Sequence, residues 1–217
     1  MTVVTGLSQP AGCTYPWAGD SQRPLEKVSV EDKVLQYVLA DILGRIYERD
    51  FRGLSFGFRP GRGCHDALAA LSVAIGRKKA SWILDADIRK YFDSISHKLL
   101  MSFLERRVGD PIILRLIKKW LKVGVMEGGQ WSTNDAEVPQ GDVVSPLLAN
   151  VFPHYVLDEW VDQRRKHVKG DVIYVMYADD FVMVFQHEYV AREFLYALKL
   201  RLEKFGLSLN PDKTRLI

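Results

Sequence analysis

Apolar and polar positions alternate along the chain with two periods, one typical of helices and one typical of strands. Ser29 and Asp32 together resemble a helix-capping start, and the apolar residues that follow occupy one helical face as far as Tyr47. Residues 53–63, "GLSFGFRPGRG", carry the glycines and proline of a loop, and a helix over about 65–75 follows. The pattern therefore predicts a helix, a loop and a second helix near the start of the chain.

The rest of the chain shows further strand and helix patterns with tight connections. In chain order we predict a buried strand over 81–88, helices over about 97–108 and 111–123, a hairpin or loop over 127–142, a helix from Ser145 to about 167 with a kink at Pro153, two strands within 172–185, a helix over about 188–205, and two short final strands. These elements predict an α+β fold, in which a small antiparallel sheet is covered on one face by helices.

The most apolar run, "VIYVMYADDFVMVF" at 172–185, contains two adjacent acids, Asp179 and Asp180. Apolar strands flank these acids, so we predict that Ala178 and Asp179 form a hairpin turn. Aspartate is common in turns, and a solvated turn tip is one interpretation of the pair. The other interpretation is a functional site, because buried charges are usually paired or bound to a metal.

A second apolar strand, within "WILDADIRKYFD" at 82–93, also runs into acids. Asp85 and Asp87 are two residues apart, so their side chains point to the same face of a strand. Solvated carboxylates at a strand end are again the simple interpretation. If the two acidic strands are neighbours, however, their carboxylates converge and repel one another unless a cation lies among them. Carboxylate oxygens suit Mg²⁺, and two such ions about 4 Å apart can catalyse phosphoryl transfer.

The composition is compatible with this chemistry but does not identify it. The 217 residues carry a net charge of +3, which permits nucleic acid as a partner without demonstrating it. The two cysteines, Cys13 and Cys64, show no metal-ligand spacing, and they fit a reducing cytoplasm. No apolar run approaches the roughly 18 residues of a membrane span, and the N-terminus lacks the features of a signal peptide. We therefore expect a protein without a membrane segment.

Five motifs, taken in order, resemble those of bacterial group II intron-encoded or group II intron-like reverse transcriptases. They are "GFRPGRGCHDAL", "DADIRKYFD", "VPQGDVVSPLLANV", "YADDF" and "GLSLNPDKTRLI", and the resemblance runs from Arg23 to Ile217. It implies the fingers and palm of a right-hand polymerase, with an irregular N-terminal arm over 1–22, a fingers-like segment over 23–82, and a palm with part of the fingers over 83–217. The family continues into a helical thumb, which we expect to be absent here.

The resemblance implies that Asp87, Asp179 and Asp180 are the catalytic carboxylates and the ligands of two Mg²⁺ ions, for which Mn²⁺ can substitute. Asp87 and Asp179 would be the principal ligands, and Asp180 would contribute more to the geometry of the site. Asp85 does not match a ligand position of the family, and we interpret it as a supporting acid.

The resemblance also implies a nucleotide-binding site formed by Arg23, Ile88, Phe92, Gln140, Gly141 and Lys213. Phe92 matches the sugar gate, where a bulky ring would clash with a ribose 2′-OH; by position alone it would be an aromatic core residue. Gln140 resembles the nucleotide-contacting glutamine of the family, in an exposed turn. Lys213 resembles the lysine near the departing pyrophosphate, and its simple alternative is a solvated lysine.

Contacts with nucleic acid are implied for Arg59, Arg62 and Tyr177. Arginine suits phosphate groups, although plain surface charge is the alternative for both arginines. Glycines of the same loop, Gly57 among them, would let the backbone approach a strand of nucleic acid closely.

Some positions depart from the family pattern. Charged residues in "RPLEKVSVEDK", 23–33, replace a mostly apolar turn. Asp142 occupies a position where the family favours a small residue, and Pro153 replaces an apolar residue that is compatible with a helix. We therefore expect local differences in the fingers, after the "PQG" turn and in the helix that follows it.

The function implied is that of an RNA-directed DNA polymerase, in which a primer 3′-OH attacks the α-phosphate of a dNTP at two metal ions. A group II intron type implies intron mobility in a bacterial cytoplasm, with an RNA template, a DNA primer, dNTPs and intron RNA as partners. A dimer or a partner chain could supply a thumb. Two alternatives stay open: a weakly active or inactive remnant that binds RNA as intron maturases do, and a reverse transcriptase of phage defence or CRISPR adaptation.

Overall fold

The computed structural model describes most of the chain, namely residues 13–16, 22–25, 29–77, 80–122, 125–127, 130–132, 138 and 142–217. For residue 77 and for the short strands at 13–16, 22–25, 125–127 and 130–132, the description covers the backbone only. Among the described residues, no helix is long and apolar enough to cross a membrane.

Helices and strands largely follow the predicted order, but of the two predicted final strands, which both lie in the described part of the chain, only Arg215–Leu216 forms, and the segment before it makes only an isolated bridge from Leu209 to Ile88. The helices are α1 (Val30–Tyr47), α2 (Cys64–Arg77), α3 (Tyr91–Ser94), α4 (His97–Leu104), α5 (Pro111–Leu121), α6 (Ser145–Pro153), α7 (Glu159–Arg164) and α8 (Glu188–Glu203), with a π-helical turn at His154–Asp158 and a 3-10 turn at Arg165–His167. The strands are β1 (Cys13–Pro16), β2 (Gln22–Leu25), β3 (Trp82–Asp87), β4 (Val125–Glu127), β5 (Gln130–Ser132), β6 (Val172–Tyr177), β7 (Asp180–Phe185) and β8 (Arg215–Leu216). Ser29 caps α1 as predicted, since its Oγ accepts the Asp32 N–H at 3.2 Å.

The central sheet has four antiparallel strands in the order β6-β7-β3-β8. β6 and β7 form a hairpin, and the turn residue Ala178 adopts a left-handed backbone with φ of 57°. β7 pairs with β3 in a register that sets Asp180 opposite Asp87. The predicted small antiparallel sheet is therefore confirmed, and the two acidic strands are neighbours, which is the arrangement under which their carboxylates converge.

One face of this sheet, which we call the helix face, packs against helices. Its strand side chains, such as Leu84 and Phe181, are at most 1% exposed and lie in one core with Phe194 of α8. Burying side chains of this size contributes roughly 1.5–3 kcal/mol each. Because side chains alternate along a strand, this burial turns Asp85 and Asp87 to the opposite face, which we call the carboxylate face.

The β6 edge of the carboxylate face is covered by α2 and by the loop over 53–63, which we call the fingers loop. Val175 of β6 packs against Phe56 and Ala67 in a small second core. The Phe56 N–H donates to the Met176 carbonyl at 2.8 Å, and the Met176 N–H donates to the Leu54 carbonyl at 2.9 Å. The fingers loop is thus hydrogen-bonded to the sheet as a short parallel extension.

The helix that begins at Ser145 stops being a regular α-helix at Pro153, where we predicted a kink. α6 continues there into the π-helical turn rather than into a regular α-helix. Proline has no N–H, so the carbonyl of Ala149, four residues earlier, lacks its usual helical donor. The buried Tyr91 hydroxyl donates to this carbonyl instead, at 2.6 Å. The departure at Pro153 therefore creates an acceptor that ties α3 to α6.

Candidate active site

Two of the predicted catalytic acids lie side by side at the ends of the adjacent strands β3 and β7. Asp87 ends β3 and Asp180 begins β7, and their Cα atoms are direct partners in the antiparallel register. Both side chains project from the carboxylate face, where Asp87 is 6% exposed and Asp180 is exposed. The apolar alternation of the two strands brings these acids together, because each strand buries its other face against helices.

Asp179 lies next to this pair, in the hairpin turn. Its backbone carbonyl accepts the Ile88 N–H at 3.4 Å, so the turn is bonded to the residue that follows Asp87. Among the described residues, no group of three or more His, Cys, Asp or Glu side chains is close enough to hold a metal ion as it stands. The structure therefore brings Asp87 and Asp180 together, with Asp179 beside them, but not as a closed three-carboxylate cage.

The electrostatics of the site reflect crowded negative charge. Partial burial, followed by the charges of Asp179 and Asp87, raises the pKa of the Asp180 carboxyl. Lys213 opposes this effect, and its Nζ lies 3.3 Å from Asp87 Oδ2. The hydrogen bond to Asp87 also raises the pKa of Lys213. A divalent cation would relieve the repulsion among these carboxylates, and their oxygen donors fit a hard ion such as Mg²⁺.

The fingers loop packs directly against the hairpin turn. A Cβ atom added to Gly57 would lie 2.3 Å from the Ala178 backbone nitrogen, which is too close for any side chain. The buried Asn150 Nδ2 donates to the Gly57 carbonyl at 2.6 Å and holds the loop in place. Gly57 therefore lets the backbone approach the hairpin, whereas the sequence suggested an approach to nucleic acid. Sequence reasoning missed Asn150, although it lies inside the "SPLLAN" motif.

The two arginines of the fingers loop differ in their surroundings. The Arg59 side chain is 2% exposed and pairs with Glu48, and it also donates to two backbone carbonyls at 2.6 Å each. Arg62 is 29% exposed, and its guanidinium lies 5.4 Å from the centre of the Phe56 ring. Arg59 thus stabilises the loop from within, and this geometry gives no support to its predicted nucleic-acid contact. Arg62 stays accessible.

Phe92 follows the acid-bearing strand β3 and lies beside Phe58, which lines a groove. Its ring makes edge-on contacts with Tyr91, at 5.6 Å between centroids, and with Phe58, at 6.4 Å. Phe58 is half exposed and has φ of 53°. A cavity of about 250 Å³ lies between α1, the fingers loop and the start of α6, and is lined in part by Phe58 and Pro146. An exposed aromatic ring at a groove can stack with a nucleic-acid base.

Two further predicted residues flank the acids. Ile88 is 1% exposed, so its side chain belongs to the core, and only its backbone borders the site. Tyr177 is 40% exposed and pairs with Asp180 across the hairpin. Gln140 and Gly141 lie outside the described residues, as does the side chain of Arg23.

The residue after the "PQG" turn has a partner that the sequence did not reveal. Gln36 of α1 is completely buried, and its Nε2 donates to Asp142 Oδ2 at 3.0 Å. Its Oε1 accepts the Val143 N–H at 3.0 Å. Burial raises the pKa of Asp142. The unusual aspartate is thus held by a glutamine 106 positions earlier, which fixes the chain directly after Gly141.

The paired acids, the hairpin that carries them and the fingers loop behind it define a polymerase palm, and the chain belongs to the reverse transcriptase family. Residues 16–217 match the family model described as "Reverse transcriptase (RNA-dependent DNA polymerase)". The predicted family is therefore confirmed over nearly the whole chain.

Relatives of the group II intron type are among the proteins that the chain resembles. It is 31% identical over 242 residues to "Protein YkfC" of Escherichia coli (strain K12), across 95% of this chain and 63% of that protein. It is 39% identical over 141 residues to "Group II intron-encoded protein LtrA" of Lactococcus lactis subsp. cremoris, across 65% of this chain and 23% of LtrA. The chain thus spans less than two thirds of the length of each.

A solved structure confirms the fold class. Telomerase from Candida albicans, in complex with a TWJ fragment of telomeric RNA, matches 86% of this chain and 34% of its own chain. The TM-score is 0.62 at 16% sequence identity. At this identity the likeness concerns the fold alone, which is the fingers–palm arrangement that the motifs predicted.

Proposed function

We propose that the protein acts as an RNA-directed DNA polymerase, which adds dNTPs to a primer 3′-OH by two-metal nucleotidyl transfer. One observation carries this proposal: Asp87 and Asp180 are register partners on the carboxylate face, and the turn beside them holds Asp179. The family match over 16–217 supports the same activity. The chemistry needs carboxylates on a rigid support, and the hairpin and β3 supply one.

Asp87 and Asp179 would be the principal ligands of the cations, and Asp180 would contribute more to the geometry of the site. When bound, two divalent ions supply activation of the attacking 3′-OH and stabilisation of the leaving pyrophosphate. Mg²⁺ fits the oxygen donors, and Mn²⁺ can replace it. Lys213 would face the pyrophosphate, where its ammonium offsets charge or donates a proton. The exposed position of Lys213 supports this role, because its Nζ lies 3.3 Å from Asp87 Oδ2, at the edge of the proposed metal site.

The surface around the acids and the groove lined by Phe58 are suitable places for substrates. We propose Phe92 as the sugar gate that excludes a ribose 2′-OH, with Ile88 contributing through its backbone, and Phe58 as a surface on which a template base stacks. Arg62 and Tyr177 would contact the nucleic-acid strands. Arg23, Gln140 and Gly141 are proposed nucleotide contacts by resemblance to the family, and the Gln36–Asp142 bond supports a fixed position for the chain that follows them.

The Phe92 assignment has its own test. Replacing the ring by a methyl group in Phe92→Ala would remove the clash with a 2′-OH, so the ratio of dNTP to rNTP incorporation should fall by about tenfold or more. The ratio is measured by single-nucleotide incorporation with each nucleotide in turn. An unchanged ratio in an active variant would exclude Phe92 as the gate.

The biological setting is part of the same proposal. The likeness to LtrA supports a role in group II intron mobility, with intron RNA as a partner in a bacterial cytoplasm. A dimer or a partner chain would supply further contacts to the primer–template duplex. Roles in phage defence or CRISPR adaptation would use the same chemistry with a different template.

Primer extension tests the activity directly. The protein is incubated with poly(rA)/oligo(dT), dTTP and Mg²⁺ or Mn²⁺, and the products are separated by length. We expect extension by the protein and by Glu203→Ala, a change at an exposed position of α8, and none by Asp179→Ala. Tight RNA binding without any extension in either metal would contradict the proposal and favour an RNA-binding, maturase-like role.

A further inference from the structure

Asn210 makes two separate contacts with Asp87. Its backbone N–H donates to the Asp87 carbonyl at 2.8 Å, which ties residues 208–210 to the end of β3. Its side-chain Nδ2 donates to Asp87 Oδ2 at 3.0 Å. The first contact positions the backbone of the acid, and the second acts on the carboxylate itself.

The orientation of the Asn210 amide is determined by its other end. Asn210 Oδ1 accepts the Asp212 N–H at 3.1 Å, in a turn that Asn-Pro sequences favour. The Thr214 N–H donates to the Asn210 carbonyl at 2.9 Å and closes the same turn. Because the oxygen of the amide is engaged by an N–H group, the NH₂ group must point towards Asp87.

Lys213 contacts the same carboxylate oxygen as Asn210. Its Nζ lies 3.3 Å from Asp87 Oδ2, and Asn210 Nδ2 lies 3.0 Å from that atom. Both donors come from one turn, and both are directed at one of the two oxygens. Oδ1 is the oxygen that neither of these two contacts uses. The turn therefore distinguishes the two carboxylate oxygens of Asp87.

We propose that Asn210 is a positioning residue, which fixes the Asp87 carboxylate so that Oδ1 is presented to a divalent cation. This inference rests on the proposed metal-dependent function. Partners of ligating carboxylates orient them and tune the site, and their loss typically lowers metal affinity or activity by about 10–100-fold. Asn210 acts through Asp87 and has no role of its own in the chemical step.

A purely structural role would be that of a turn residue, and one substitution separates the two roles. Asn210→Ser keeps a side-chain oxygen that can accept the Asp212 N–H, but it is too short to reach Asp87. Asn210→Ala removes both contacts. Ser208→Ala is the matched control, because Ser208 is exposed in the same segment, and within the described part of the chain its bond is the one from the Arg89 N–H to its backbone carbonyl, which the substitution keeps.

The experiment measures the dissociation constant of Mn²⁺, from the electron paramagnetic resonance signal of the free ion, for the protein, these three variants and Asp87→Ala. Circular dichroism and thermal melting verify that each variant is folded. We expect about tenfold weaker Mn²⁺ binding for Asn210→Ser and for Asn210→Ala, and unchanged binding for Ser208→Ala. Primer extension should lose kcat to a similar extent, with the KM for primer–template unchanged, and higher Mn²⁺ should restore part of it.

The other outcomes have distinct meanings. If Asn210→Ser binds Mn²⁺ as tightly as the unchanged protein, the residue is only a turn former and the inference is wrong, whatever Asn210→Ala does. If Asp87→Ala binds Mn²⁺ as well as the unchanged protein, the metal site itself is wrong, and the role of Asn210 fails with it. Weakened binding in Asp87→Ala alone would keep the proposed function and overturn only the role of Asn210.

Discussion

A carboxylate with a raised pKa lies on each side of the central sheet, Asp180 in strand β7 and Asp158 in the π-helical turn packed on the helix face. On the carboxylate face, Asp180 is exposed, and after partial burial the charges of Asp179 and Asp87 are the next causes of its raised pKa. On the helix face, Asp158 is 2% exposed, and burial raises its pKa to about 7. Asp158 Oδ1 accepts a hydrogen bond from the Tyr174 hydroxyl at 2.9 Å.

The difference shows how each face can balance its charge. Solvent and ions reach the carboxylate face, so a cation can neutralise the acids there. The helix face is closed, and Asp158 can be neutralised there by taking up a proton or balanced by charged groups already in place. A raised pKa therefore accompanies a proposed metal site on one face and, on the other, a buried acid that lowers the free energy of unfolding towards neutral pH.

The same substitution on each face gives the largest expected contrast. Asp87→Asn weakens a proposed metal ligand, and its primer extension should fall by about 10³-fold or more, since cation stabilisation is worth several kcal/mol. Asp158→Asn keeps an oxygen for Tyr174 to donate to and should extend primers within about twofold of the unchanged protein. Single-turnover extension in Mg²⁺ measures both rates. Equal losses of extension rate in the two variants would contradict a functional difference between the two faces.

The second largest expected loss of primer extension comes from a change in the fingers loop, at the point where it packs against the hairpin. Gly57→Ala places a methyl group against the backbone of Ala178, so the hairpin that carries the acids must shift. A misplacement of about 1 Å costs about 10²-fold in rate. Gly53→Ala is the control, since a Cβ there meets nothing within 4 Å. A Gly57→Ala protein with normal extension would show that the fingers loop does not position the acids.

The titration of Asp158 on the helix face should make the free energy of unfolding depend on pH. The folded pKa of Asp158 is raised above its unfolded value of 3.8 to about 7, so the folded state binds the extra proton between these values. Its contribution to the free energy of unfolding therefore falls as pH rises from about 4 to 7, by at most about 1.4 kcal/mol per pH unit. Asp158→Asn should remove this dependence and gain stability relative to the unchanged protein over that range, as measured by urea unfolding.

His154, whose Nδ1 lies 4.0 Å from Asp158 Oδ2, is expected to show a pH dependence of opposite sign. Burial, followed by the charge of Arg52, lowers the pKa of His154 to about 4, so this residue destabilises the fold as pH falls from 6.5 towards 4. His154→Gln should therefore gain relative stability towards low pH, whereas Asp158→Asn gains it towards neutral pH. The same slope in both variants would mean that neither group titrates as described.

The smallest expected effect is on stability, and it comes from the hydrogen bond between the Tyr91 hydroxyl and the Ala149 carbonyl. Tyr91→Phe leaves the buried Ala149 carbonyl without its donor, and should lower the free energy of unfolding by about 1–3 kcal/mol. Pro153→Ala restores a helical N–H that can take over this carbonyl. In the Pro153→Ala background, the Tyr91→Phe change should therefore cost less. A double-mutant cycle of urea unfolding measures the coupling between the two changes. Strictly additive changes in the free energy of unfolding would contradict the idea that a backbone N–H at position 153 replaces the Tyr91 hydroxyl as the donor to Ala149.

The local pattern of apolar and polar residues was sufficient to predict the strands of the sheet and the face on which their acids lie. Alternation in "WILDADI" and "YVMYADDFVMV" fixes which side chains face the helices, so it also predicts that Asp85 and Asp87 share the other face. The resemblance of the motifs implied that the acids of the two strands share one metal site. Alternation depends on residues within one strand and the turn on residues within one hairpin, whereas the pairing of β3 with β7 joins distant segments that only the resemblance linked.

Contacts between distant segments could not be read from the sequence. Gln36 and Asp142 are 106 positions apart, and Asn150 and Gly57 are 93 apart, so no local period links either pair. The burial of Arg59 also depends on how the fingers loop folds around Glu48. Glycine and arginine in a polymerase motif suggested contacts with nucleic acid, whereas for Gly57 and Arg59 the observed partners belong to the protein itself.

The central claim is that the carboxylate face holds the catalytic cations, and one diffraction experiment tests it most directly. Crystals of the protein with primer–template, dTTP and Mn²⁺ would be measured at the manganese absorption edge. The account predicts an anomalous peak bonded to Asp87 and Asp179, on the side of the sheet opposite Asp158. A well-ordered complex with manganese bound elsewhere, and none at these two aspartates, would contradict it.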